Sequence, residues 1–150
     1  MSRIGPGVPR TVPRGQATLT APVSLAPAAA DTYEPVPGVW SDGNCYQFTT
    51  SAAGVLEYSG SSGRAFLFNG SSDLGVNVAD TVTYALYVNG VMVPGAETPH
   101  TFTAPAKTEG ISITAIITLN AGDQLQAYAK STAGNRIDIA TLRLTAWGDV

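Results

Sequence analysis

The side chains able to do chemistry in this chain are few and far apart. His100 is the single histidine. It sits among prolines with no serine-elbow pattern nearby, which excludes a multi-histidine metal cluster and leaves a structural or surface role. Cys45 is the single cysteine, so no intrachain disulfide and no thiolate ligand set can form. With nothing local to depress its pKa, it reads as a small apolar residue. The acids Asp42, Glu57, Asp73, Asp80, Glu97, Glu109, Asp123, Asp138 and Asp149 stand singly. A glycosidase needs two carboxylates facing each other across a cleft, and no spacing here points to such a pair. GSSGR at 60–64 lacks the strand–loop–helix context and the Lys-Ser/Thr pair of a phosphate cradle. Asn69-Gly70-Ser71 matches the glycosylation acceptor pattern, without a secretion signal to give it meaning. The expectation is a non-enzymatic chain with no catalytic residue, no metal site and no cofactor.

The elements that would have to position a site are strands. From Trp40 onward, short β-rich runs alternate with Gly, Asn, Ser and Asp corners: NCYQFTT, VLEYSG, GRAFLFNG, TVTYALYVNG with its short return VMVPG, ISITAIITL, DQLQAYAK and RIDIATLRLTAW. Val82, Tyr84, Leu86 and Val88 share one face of their run, as alternation in a half-buried strand demands. Asn89-Gly90 is a tight-hairpin signal because both residues accept positive φ. In Asn120-Ala121-Gly122-Asp123, Gly122 and Asp123 read as turn residues, with the Asp123 side chain capping a backbone N–H. AETPHTFTAPAKTEG reads as a loop with a brief extended piece at 100–103, since Pro94, Pro99 and Pro105 disfavour a central strand. In the last run Ile137, Ile139, Thr141, Arg143 and Thr145 share a face, while the alternate positions lose parity, so a bulge is expected near its end. No segment after Trp40 holds a helical period over ten residues. Many short strands with turns between them mean an all-β antiparallel sandwich or barrel. A final strand that ends almost on the last residue is safest inside a sheet, paired on both edges.

Composition narrows the partners. The chain has 150 residues, enough for one domain with a single core, and only 13% are charged. A net charge of -3 without clustered Lys and Arg excludes nucleic acid as the main partner. No apolar run approaches the roughly 20 residues of a membrane helix. The opening differs from the rest. Seven of the ten prolines fall at or before Pro37, and Arg3, Arg10 and Arg14 make the start basic. Fixed φ angles and missing N–H groups there suit an extended arm over residues 1–38, followed by a folded domain over 39–150. Leu19, Val23 and Leu25 make TLTAPVSLAP apolar enough to lie on another surface.

The order of the blocks PVPGVWSDG, VLEYSG, RAFLFNG, VTYALYVNG, ISITAIITLNAGDQLQAYAK and IDIATLRLTAW resembles the small jelly-roll domains of tailed-phage virion proteins, similar in fold to tumour necrosis factor and C1q heads. The likeness runs from about Val39 to Trp147. It implies an antiparallel jelly-roll sandwich and a homotrimer, with Tyr84, Leu86, Leu125, Ala127, Tyr128 and Leu142 in the core or the trimer seam. It also implies a structural role on the virion surface, after assembly in the host cytoplasm. Starting at Met1 with an arm and no shaft, the chain fits a capsid decoration protein. Its arm residues Arg3, Arg10, Arg14, Leu19, Val23 and Leu25 would then grip the major capsid protein. The competing role is a fibre or baseplate head that binds a host-surface receptor or glycan.

Overall fold

A computed structural model describes residues 12–105 and 108–148. Twelve strands form among them: β1 (Arg14–Leu19), β2 (Val23–Leu25), β3 (Glu34–Pro35), β4 (Trp40–Asp42), β5 (Phe48–Thr50), β6 (Leu56–Tyr58), β7 (Arg64–Val76), β8 (Asp80–Val88), β9 (Val91–Phe102), β10 (Glu109–Leu119), β11 (Gln124–Ser131) and β12 (Ile137–Gly148). They make two antiparallel sheets. One runs β10-β7-β12-β1-β4 with β2 beside β12, and the other runs β5-β6-β11-β8-β9 with β3 beside β11. The protein is an all-β jelly-roll sandwich. No helix among the described residues is long and apolar enough to cross a membrane.

The inward faces interdigitate as alternation requires. Phe66, Phe68 and Leu74 of β7 and Leu142, Leu144 and Ala146 of β12 meet Tyr84 and Leu86 of β8 and Leu125 and Ala127 of β11, all buried. Phe48, Tyr58 and Phe66 form an aromatic cluster with ring centroids 4.9–5.4 Å apart, in tilted and edge-on arrangements that suit their quadrupoles. Ser72 and Tyr84 share a buried hydrogen bond of 2.9 Å, and the Ser72 hydroxyl also donates to the Thr141 carbonyl. Burial pushes the Tyr84 phenol above its ordinary pKa, so it stays neutral.

The last strand lies inside its sheet, with β7 on one side and β1 and β2 on the other. Three sequence expectations are corrected. First, the boundary at residue 38 falls inside the domain: Arg14–Leu19 is a strand between β12 and β4, and Val23–Leu25 pairs with β12. Its inward positions are Gly15, Ala17 and Leu19, and a side chain at Gly15 would meet the Phe48 ring at 2.8 Å. Close packing there demands small residues, which hide the strand's apolar alternation. Second, the bulge in β12 comes early, between Ile139 and Thr141. Ile137 and Ile139 point inward, Ala140 and Thr141 are exposed, and Leu142, Leu144 and Ala146 resume the inward face. Third, the return after Asn89-Gly90 continues through Pro94 and Pro99 as β9. It can do so because β9 is an edge strand, where a missing N–H breaks no central ladder. His100, bonded to Glu109, ties this edge to β10 of the other sheet.

Candidate functional site

On the exposed face of the β10-β7-β12-β1 layer, apolar side chains gather in register. Ile116 of β10 lies opposite Leu67 of β7, and Leu67 lies opposite Trp147 of β12. Trp147 is opposite Arg14 of β1, which exchanges backbone hydrogen bonds of 3.0 and 2.8 Å with Tyr46. Ile116 is 69% exposed, Trp147 49%, Tyr46 42% and Leu67 37%. Four large apolar side chains thus form a row across the sheet, interrupted by the Arg14 guanidinium, which donates to Asn44 Oδ1 at 2.7 and 3.0 Å.

Local phase explains how this row arises. In RAFLF the buried residues are Phe66 and Phe68, so Leu67 must point out. In ISITAIITL the inward positions include Ile111, Ile113, Ile117 and Leu119, and Ile116 is the apolar residue out of step. Trp147 stands out of step with Leu144 and Ala146. The row beside the apolar one is small and neutral. Thr114, Asn69, Thr145 and Gln16 follow in the next row, so the acceptor pattern at Asn69 lies within a strand. Such a surface loses little by shedding water and offers apolar area in return.

The residues singled out from sequence are placed elsewhere. Arg3 and Arg10 lie outside the described residues. Arg14, Leu19, Val23 and Leu25 do not form a free arm: they sit in β1 and β2, with Leu19 and Leu25 buried and Val23 packed against the core. Tyr84, Leu86, Leu125, Ala127 and Leu142 are buried between the sheets, which leaves them no surface for a neighbouring subunit. Tyr128 is half-buried on the outer face of the other sheet, stacked on Tyr87 at 3.7 Å. Tyr33 meets Tyr87 edge-on at 5.9 Å and donates to Glu97 Oε1 at 2.5 Å, and Lys130 Nζ lies 4.7 Å from the Tyr33 ring centre. Partial burial, then the Glu97 carboxylate, raises the Tyr33 phenol above its ordinary range.

The turns form a knot at one end of the sandwich. Asn89 and Gly90 have φ of 51° and 77°, and Gly122 has 90°. Asp123 accepts from the Asn120 N–H at 2.8 Å and from Asn89 Nδ2 at 2.9 Å. Cys45 is half-buried with its sulfur accepting from the Gln16 N–H at 3.3 Å. Among the described residues no group of three or more His, Cys, Asp or Glu side chains could hold a metal.

The two sheets and their strand order make a TNF-like jelly-roll sandwich. Among solved structures the chain is similar to an Eiger TNF from S. frugiperda, with a TM-score of 0.63 and 17% identity over 94% of each chain. It is also similar to murine APRIL at pH 5.0, with a TM-score of 0.56 and 11% identity over 91% of this chain and 99% of that one. At such identities the likeness is one of fold. No family description and no curated protein matches the sequence.

Proposed function

We propose that this chain is a non-enzymatic structural head that works as a homotrimer on a virion surface, where it decorates and stabilises the capsid. The observation that carries self-association is the row Ile116–Leu67–Trp147 with Tyr46, on a face whose other side chains are mostly small and neutral. Burying it against two other copies removes apolar area from water, and a standard interface of roughly 1,600 Å² needs little more than one face of such a sheet. The capsid role draws on the sequence before Val12, where Arg3 and Arg10 stand among prolines and glycines. These residues join the head at β1, beside the apolar row, and in this reading they contact the major capsid protein.

The test is to mix the purified full chain with undecorated capsids from the same source and weigh the bound protein. Stoichiometric coating is expected. A chain starting at Val12 is expected to keep its oligomeric mass and lose attachment. Coating by that shortened chain would sink the arm's role, and full chain that ignores the shells would sink decoration. A second reading, a receptor-binding head, is favoured by the Tyr33, Tyr87 and Tyr128 cluster on the opposite sheet. Specific glycan binding lost in Tyr87→Ala would support it.

A further inference from the structure

The same face carries a feature that the apolar row does not use. Beyond the row of Thr114, Asn69, Thr145 and Gln16 come Ser112, Ser71, Arg143 and Thr18, and then Gly110, Asp73 and Thr141. Arg143 and Asp73 are the formal charges of these three rows, and both are exposed. Among the described residues neither has an ion-pair partner. Asp73 accepts only a 3.3 Å hydrogen bond from the Thr141 hydroxyl, which in turn accepts from the Asp73 N–H at 3.1 Å. Open depressions of about 410 Å³ between Thr18, Ser71 and Arg143, and of about 300 Å³ between Asp73, Gly110 and Ser112, leave room beside each charge.

We propose that Arg143 of one copy pairs with Asp73 of the next, and that this pair sets the register of the assembly. The inference rests on the self-association proposed above. Arg143 and Asp73 are diagonal neighbours on β12 and β7, so where this patch lies close to a ring axis Arg143 of one copy can meet Asp73 of the next. Covering this face without matching its charges would strand a cation and an anion away from water, a costly outcome. Matching them removes that penalty. It also disfavours slipping toward the apolar row, because the intervening row of Thr114, Asn69, Thr145 and Gln16 is neutral and offers neither charge a partner.

Charge reversal tests the pairing. Full-length Arg143→Asp and Asp73→Arg are measured singly, mixed in equal amounts, and combined in one chain, with circular dichroism to establish folding and light scattering to read mass against concentration. Both positions are exposed, so folding is expected to persist; Arg143→Gln and Asp73→Asn serve where reversal disturbs it. Each single reversal is expected to weaken association by roughly 30-fold or more. The mixture is expected to regain mass in part, because in a mixed ring of three one junction sets the new acid of one variant against the new base of the other, one keeps the natural Arg143–Asp73 pair, and only one stays like-charged. The doubly reversed chain should recover fully. Rescue by mixing separates pairing between copies from pairing within one chain. Single variants that associate like the natural chain, or a mixture that stays dissociated, would overturn the proposal. A natural chain that is monomeric at every concentration would instead defeat self-association itself, and the pairing with it.

Discussion

Asp80 shows how one carboxylate holds together a whole corner of the sandwich. It accepts from the N–H groups of Thr81 at 2.7 Å and Ala133 at 3.2 Å, from Asn135 Nδ2 at 3.0 Å, and from the buried Ser131 hydroxyl. Partial burial works against its charge, but these donors outweigh it and hold the carboxyl below the usual range. The folded chain therefore binds this proton less readily than the unfolded chain. The resulting stabilisation is complete above the unfolded carboxylate pKa of about 3.9 and disappears as pH falls through the lower folded value. Asp80→Asn should lower stability at neutral pH by about 2 kcal/mol. In urea melts the deficit should shrink below about pH 4, and an equal deficit at both ends would contradict this role. Gly54 makes the complementary case. Its φ is +82°, and an added Cβ would lie 2.6 Å from the Trp40 ring. Gly54→Ala should cost about 1–3 kcal/mol in a thermal melt, and an unchanged melt would refute the close approach. That a break falls at Ala53-Gly54 is legible in sequence. The contact with Trp40 is not, because it joins residues that only the fold brings together.

At the scale of elements, what was legible depended on whether the inward residues are large. β8 and its Asn89-Gly90 turn can be read directly, since the large residues Val82, Tyr84 and Leu86 recur at every second position and are all buried. β1 could not, because Gly15 and Ala17 do the work of packing by being small. The prolines around β1 and β2 point to an arm, yet they fall at Pro13 and Pro22, outside both strands. The β12 bulge was legible as broken parity, but its position depends on pairing with β7, which sequence does not show. A sharp consequence follows for truncation. Removing the residues before Val12 should leave a cooperative fold. Removing everything before Ala30 takes away β1 and β2, strips one side of β12 and uncovers Trp40 and Phe48. That protein should lose its cooperative thermal transition, and wild-type melting by it would show that β1 is dispensable.

For the whole molecule, the jelly roll was legible from the order of strand and turn blocks, whereas the candidate site was not. The residues expected in the core or the seam were chosen for being aromatic or aliphatic on clean strands, and Tyr84, Leu86, Leu125, Ala127 and Leu142 lie in the core, which removes them from any seam. The surface residues that matter, Leu67, Ile116 and Trp147, carry a different signal, an apolar side chain out of phase with its own strand. That signal becomes a row only when the registers of β10, β7 and β12 are known. The central claim is that this row joins copies of the chain. Light scattering of the full-length protein and of Ile116→Asp tests it most directly, because Ile116 is exposed enough to change without unfolding the core. The natural chain should show three times the 15.4 kDa of one chain, and the variant should shift toward a single chain. A natural chain that stays at single-chain mass, or a variant that leaves the mass unchanged, would contradict the account.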